Sequence, residues 1–212
     1  MFQQDLFEYE FVIMELMKYI DVTNLFHSSP KYKYNKKNLH YKKLNREYSL
    51  KYCIDKVFRN TVLRDVSYPS IQLQLNLRRC INITDVSALG NVHTLNLCGC
   101  YQVTDVSALG KLHALYLKYC KNVTDVSALG NVHTLDLSVC INITDVSALG
   151  NVHTLNLEGC QNITDISVSA LGNIHTLDLT GCKNITDISA LGNVHTLNLT
   201  GCKNITDISA LG

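Results

Sequence analysis

Three residue types that can do chemistry recur in step along this chain: thiols at Cys80, Cys100, Cys120, Cys140, Cys160, Cys182 and Cys202, imidazoles at His93, His113, His133, His153, His175 and His195, and carboxylates at Asp85, Asp105, Asp125, Asp145, Asp165, Asp187 and Asp207. Thiols can cross-link, ligate soft metals or attack carbonyls; imidazoles can ligate or shuttle protons; a row of carboxylates can hold calcium or cap turns. Spacing decides among these. Cysteines one repeat apart have parallel Cβ directions, which a disulfide does not tolerate, and without a Cys-x-x-Cys pair they do not converge on a tetrahedral metal. Nine cysteines, an odd number, and no secretion signal fit a reducing compartment. No calcium-type Gly-Gly-x-Gly-x-Asp pattern accompanies the aspartates, so they read as turn caps that accept backbone N–H bonds. The histidines form a column at the edge where each strand would begin, and stacked imidazoles discourage one another from charging, so acid should loosen the array. Asn82, Asn122, Asn142, Asn162, Asn184 and Asn204 stand in Asn-x-Thr sequons, which without a secretory route are only loop asparagines. The chain is thus expected to carry no catalytic residues, no metal and no cofactor. A thiol enzyme using Cys53 or Cys98 would need a neighbouring base or helix N-terminus, and neither is evident.

The elements that position these columns follow from the period. The phrase Thr-Asp-[Val/Ile]-Ser returns every twenty residues with one exception, where Val168-Ser169 stretches a unit to twenty-two. So short a unit cannot bury its own apolar face and must stack on its copies. In Asn91 to Cys100, strand alternation turns Val92, Leu95, Leu97 and Cys100 inward, and Ile83, Val86 and Leu89 supply the inward positions of a return too short for a long helix. The two-residue insertion falls on that return, which should leave the sheet register intact.

This pattern resembles leucine-rich repeat proteins over about residues 63–212. The cysteine closing each strand motif is similar to the cysteine-containing subtype, and Ile-Thr-Asp-[Val/Ile]-Ser-Ala-Leu to the short convex segment of internalin-type repeats. The resemblance implies an α/β solenoid, a leucine-rich repeat arc with a parallel concave β-sheet of about seven strands, short 3₁₀ or irregular convex segments and a small α-helical N-terminal cap. Strands are expected around Leu75-Leu77, Leu95-Leu97, Leu115-Leu117, Leu135-Leu137, Leu155-Leu157, Leu177-Leu179 and Leu197-Leu199. Leu63-Arg64-Asp65-Val66-Ser67 continues the phase backwards as a worn half-repeat.

Compared with one another, the repeats differ in their outward columns. One column reads Asn76, Asn96, Tyr116, Asp136, Asn156, Asp178, Asn198; the next reads Arg78, Cys98, Lys118, Ser138, Glu158, Thr180, Thr200; the loop column reads Arg79, Gly99, Tyr119, Val139, Gly159, Gly181, Gly201. Either these solvated positions have drifted or they form a binding surface. On the second reading, a protein target would meet Arg78, Arg79, Asn96, Tyr116, Lys118, Tyr119, Asp136, Glu158 and Asp178 on the concave face, with the aromatic residues as anchors.

The net charge of +1 hides a division: one Lys against five acids in residues 1–30, thirteen Lys/Arg against three acids in 31–79, and five against ten in 80–212. Without glycines or zinc-finger spacing, the basic middle reads as a solvated helical surface rather than a nucleic-acid site. The apolar run Phe11 to Met14 is closed by Glu15, and the first ten residues are acidic where a signal peptide would be basic, so a cytoplasmic, membrane-free protein is expected.

Before the array, Leu6, Phe7, Val12, Ile13, Leu16, Met17 and Ile20 suit an amphipathic helix, and Leu50, Cys53, Ile54, Val57 and Phe58 a second one that caps the first rung. Val12-Ile13-x-x-Leu16-Met17-x-Tyr19-Ile20-Asp21-x-x-Asn24-Leu25 is similar to the F-box pattern. Glu8-Tyr9 stands where Leu-Pro is usual, Asn24 where Asp is usual, and only Lys31-Tyr32-Lys33-Tyr34 answers to the later segment. The resemblance implies an F-box-like helical region over 1–45 whose Ile13, Leu16, Met17, Ile20 and Leu25 dock a Skp-type adaptor of a cullin ubiquitin ligase, a cap over 46–62 and repeats over 63–212. The near-identical repeats and Lys/Tyr/Asn-rich leader also resemble, in style, repeat arrays of large DNA viruses, which would place the protein in host cytoplasm. A plain binding scaffold with no ubiquitin link is the competing reading. At the other end, Ile208 to Gly212 stops where another strand would start, so either the last strand offers an edge for self-association or the chain is a piece of a longer array.

Overall fold

The computed structural model describes residues 41–44, 46–65 and 72–211; Ile13, Leu16, Met17, Ile20 and Leu25 of the F-box-like segment lie outside them. Stacking in register is what the period demands, and it is what the backbone does. Strands β1 (Tyr41–Lys43), β2 (Gln72–Asn76), β3 (Thr94–Asn96), β4 (Ala114–Tyr116), β5 (Thr134–Asp136), β6 (Thr154–Asn156), β7 (Thr176–Asp178) and β8 (Thr196–Asn198) form one parallel sheet in sequence order. Leu75, Leu95, Leu115, Leu135, Leu155, Leu177 and Leu197 pair in succession across it. The seven repeat strands match the expectation, and the second leucine of each pair follows directly after its strand. Every return carries a 3₁₀ turn, Ser87–Leu89 being the first.

All seven inward positions of the repeat are buried: in the central rung Leu135, Leu137, Cys140, Ile143, Val146, Leu149 and Val152 are at most 1% exposed. Burying a Leu, Val or Ile contributes roughly 1.5–3 kcal/mol, so the stack and not the single rung holds the fold. On the convex side the copies close to backbone contact. A Cβ on Gly110 would run into the Ala128 carbonyl oxygen, so only glycine lets the returns nest this tightly.

The insertion behaves as its position predicts. Val168-Ser169 extends the return into a short helix, α3 (Asp165–Val168), while Thr154 still pairs with Thr176. Thr164 and Ser167 cap each other there.

The N-terminal side differs from its reading in three respects. Tyr41–Lys43, at the end of the stretch expected to be helical, is a strand that pairs with Gln72–Gln74. The capping helix is two helices, α1 (Arg46–Ile54) and α2 (Lys56–Asp65), because the Asp55 carboxylate accepts the amides of Val57 and Phe58 at 2.9 and 3.0 Å and starts a new helix. That break shifts the phase. Tyr52, Phe58 and Val62 enter the core, whereas Ile54 and Val57 are 72% and 77% exposed. Helix α2 also carries Leu63–Asp65, which therefore are helical and do not form a convex turn.

The first repeat strand is sealed by Ser49. Its buried hydroxyl donates to the Leu44 carbonyl and accepts the Asn76 amide at 2.9 Å, an amide that β1 is too short to pair.

Candidate functional site

Each candidate residue takes its place from the column it occupies. The inner thiols are the simplest case. Cys100, Cys120, Cys140, Cys160, Cys182 and Cys202 each donate from Sγ to a carbonyl of the preceding rung, Leu77, Leu97, Leu117, Leu137, Leu157 and Leu179, at 3.0–3.2 Å. Burial pushes these thiols up, Cys100 to about 11 and Cys120 and Cys160 to about 12. Burial likewise raises Cys53 and Cys98, the opposite of the activation a nucleophile needs. All described cysteines are free thiols.

The aspartate column caps turns as expected. Asp85, Asp105, Asp125, Asp145, Asp187 and Asp207 accept the amides of the serines two residues on at 2.8–2.9 Å. The serine hydroxyl and amide hold Asp85, Asp105, Asp125, Asp145 and Asp207 below the usual carboxylate range. Asp165 departs from the column because it opens α3; its carboxylate turns to the next rung and accepts the Thr186 amide and hydroxyl at 2.7 and 2.6 Å.

Six imidazoles stack along the strand entrances with ring centroids 4.5–4.6 Å apart, from His93 to His195. Desolvation first, and then the neighbouring rings, lowers His93 and His175. Among the described residues no cluster of three or more His, Cys, Asp or Glu is placed to hold a metal ion.

One structural column was missed by reading the Asn-x-Thr triplets as loops. Asn122, Asn142, Asn162, Asn184 and Asn204 each donate from Nδ2 to a backbone carbonyl of the preceding rung at 2.7–2.8 Å. Their recurrence at one position of every repeat but one was the available signal.

The concave candidates fall into two kinds. Asn96, Asp136 and Asp178 are half-buried, and each accepts the amide two residues on, from Cys98, Ser138 and Thr180, at 2.8–3.0 Å. Asn76, Asn156 and Asn198 do the same, so this column is a strand-end brace. Tyr116 is the one member that departs from the Asn/Asp type, and it sits half-buried in mid-sheet. Lys118 and Glu158 come together two rungs apart, Nζ to Oε2 at 3.2 Å, across the small buried Ser138. The hydrogen bond to Glu158 raises Lys118. Its ammonium also lies 5.5 Å from the Tyr119 ring centroid.

Arg79 and Tyr119 occupy a column with its own backbone rule. Each loop residue donates its amide to the next rung, Arg79 to Cys98, Gly99 to Lys118, Tyr119 to Ser138, Val139 to Glu158 and Gly159 to Thr180, at 2.7–2.9 Å. That arrangement holds the whole column at positive φ: 73°, 70°, 71° and 77° at Gly99, Gly159, Gly181 and Gly201, and also 57°, 65° and 59° at Arg79, Tyr119 and Val139. Non-glycine residues there are strained by about 1–2 kcal/mol each. Arg78 and Arg79 are exposed at the capped end, and the Arg46 guanidinium donates to the Arg79 carbonyl.

No family model and no curated protein matches the chain. Among solved structures it is similar to an internalin C2 of Listeria monocytogenes (24% identity over 67% of this chain and 63% of that one, TM-score 0.47). It is also similar to the Listeria monocytogenes internalin inlF (27%, 67% and 44%, TM-score 0.48) and to an LRR protein of Leptospira interrogans (16%, 70% and 50%, TM-score 0.43). The chain thus spans less than two thirds of each. Unbroken leucine register, one 3₁₀ return per strand and a cysteine closing each rung decide the architecture. It is a leucine-rich repeat solenoid.

Proposed function

We propose that the solenoid is a passive recognition module that presents its outward face to a protein target. The observation that carries this reading is the contrast between columns. Inward leucines and cysteines repeat almost without change, while Tyr116, Lys118, Tyr119 and Glu158 break an otherwise regular outer face. Tyrosine and arginine are the side chains that most often anchor interfaces, because they bury much area for few rotatable bonds.

The finer reading is an F-box-type substrate receptor in the cytoplasm. Its support is the pattern Val12 to Leu25, through which the leader would hold a Skp-type adaptor while the sheet holds the target. Pull-down of a purified Skp-type adaptor with the full chain tests it. Recovery by the wild type and loss in the Leu16→Asp/Ile20→Asp double variant are expected. No recovery would leave a plain scaffold, in which the N-terminal residues serve only to cap the array.

A further inference from the structure

The loop column raises a question the concave face does not. Positive φ suits glycine, and four of the seven copies have it. The three that do not are in the first four rungs: Arg79, Tyr119 and Val139. Valine is branched at Cβ and is among the residues least suited to this conformation. Strain kept at particular copies of a repeat, when neighbouring copies show the relaxed solution, points to what those side chains touch.

Those side chains make one patch along the strand exits. The Arg79 stem lies over Gly99, whose notional Cβ would stand 3.4 Å from Arg79 Cγ and 3.8 Å from the Tyr101 hydroxyl. Tyr101 and Tyr119 are 45% and 44% exposed. Lys118 is tethered beside the Tyr119 ring, and Val139 covers Gly159 with its Cγ2 3.5 Å from the notional Cβ there. Farther along, the column is bare: nothing approaches a Cβ on Gly181 within 4 Å. Charge differs as well: Arg46, Arg78, Arg79 and Lys118 attend the first three rungs and Asp136, Glu158 and Asp178 the fourth to sixth, while the column after the closing cysteine carries Lys121, Lys183 and Lys203 on rungs three, six and seven. Among the described residues the guanidiniums of Arg78 and Arg79 meet no carboxylate.

We infer that this strand-exit edge, from Arg79 to Val139, is the docking site for an acidic, extended polypeptide segment carrying carboxylates for the arginines and apolar or aromatic groups for Tyr101, Tyr119 and Val139. The inference rests on the recognition reading above and moves its centre from the concave face to the edge. Rungs lie about 4.8 Å apart, so Arg79 and Tyr119 are separated by about 10 Å, the reach of about three residues of an extended chain. Arginine forks pair carboxylates bidentately, and the tyrosine faces take apolar groups between them. Any anion charged at every step, a phosphate chain included, meets Asp136, Glu158 and Asp178 if it continues past Tyr119, so the carboxylates of the segment belong at its Arg78/Arg79 end and its uncharged groups at Val139.

The test uses the full chain and fluorescence anisotropy with three labelled probes: a short peptide repeating Glu-Glu-Tyr, its Gln-Gln-Tyr counterpart, and an oligouridylate. The acidic peptide is expected to bind roughly tenfold or more tightly than the neutral one, with affinity falling as salt rises. Arg79→Gly and Tyr119→Gly are each expected to weaken it by roughly tenfold while leaving the melting temperature unchanged or higher, since glycine relaxes the backbone. Equal binding of the two peptides, tighter binding of the oligouridylate, no binding of the acidic peptide, or glycine variants that bind like wild type would each overturn the inference. Tyr116→Ala in parallel separates the two sites. Weakening by Tyr116→Ala with no effect of the glycine variants overturns the edge and leaves the concave reading standing; weakening by the glycine variants alone supports the edge and removes the concave anchor.

Discussion

The first four rungs and the last three share a backbone and differ in what they hang on it. Both halves have the same leucine register, the same 3₁₀ returns and the same left-handed loop column. In the last three that column is glycine throughout; in the first four it is Arg79, Gly99, Tyr119 and Val139. Identical geometry with different residues shows that the fold does not ask for these side chains. It tolerates them at a cost in backbone strain, and it is the docking inferred above that assigns them to contact and not to packing.

The difference should vanish in the core. Leu117→Ala and Leu157→Ala, one from each half and both fully buried, should each cost about 2–5 kcal/mol in urea unfolding. A large disparity would mean that the halves are not built alike. Next in size is Gly110→Ala, which places a methyl against the Ala128 carbonyl and should cost about 1–3 kcal/mol. Gly181→Ala, with open space but positive φ, should cost only about 1–2 kcal/mol. Tyr116→Ala should weaken binding of a protein target by about 1–3 kcal/mol if the concave face anchors it, measured by titration calorimetry; an unchanged affinity would leave the edge as the centre.

The smallest effects come from pH. His93 and His175 are lowered in the fold, so the unfolded chain takes up their protons first. Their contribution is complete above the ordinary imidazole value, about 6.5, and declines as pH falls below it toward the folded values. Melting temperature should therefore drop between about pH 7 and pH 5, and less so in a His93→Gln/His175→Gln variant. The depressed aspartates act lower down. Asp85, Asp105, Asp125, Asp145 and Asp207 support the fold above the ordinary carboxylate value, about 3.9, and that support goes as pH falls through their folded values.

The repeats were legible because inward positions such as Leu95, Leu97 and Cys100 obey a period that only stacking satisfies. What escaped had no period. Tyr41–Lys43 is a strand through its partner β2, not through any alternation of its own, and the break at Asp55 is a local cap that outweighs the apolar spacing from Leu50 to Phe58. The asparagine ladder was visible as recurrence, but its cross-rung bonds need the rise between rungs to be recognised. Variation in the loop column was plain in the sequence, whereas its positive φ was not. Arg79, Tyr119 and Val139 could thus be seen as different without being seen as strained.

If the strained side chains of the first rungs serve contact and not folding, removing one should not weaken the fold, and urea unfolding of Val139→Gly decides this. Valine should relinquish about 1–2 kcal/mol of backbone strain against the roughly 0.5–1 kcal/mol that glycine loses to chain entropy, so the midpoint should stay level or rise. A lower midpoint corresponding to a loss of more than about 1 kcal/mol in unfolding free energy would show that this side chain holds the solenoid together, and would contradict that assignment.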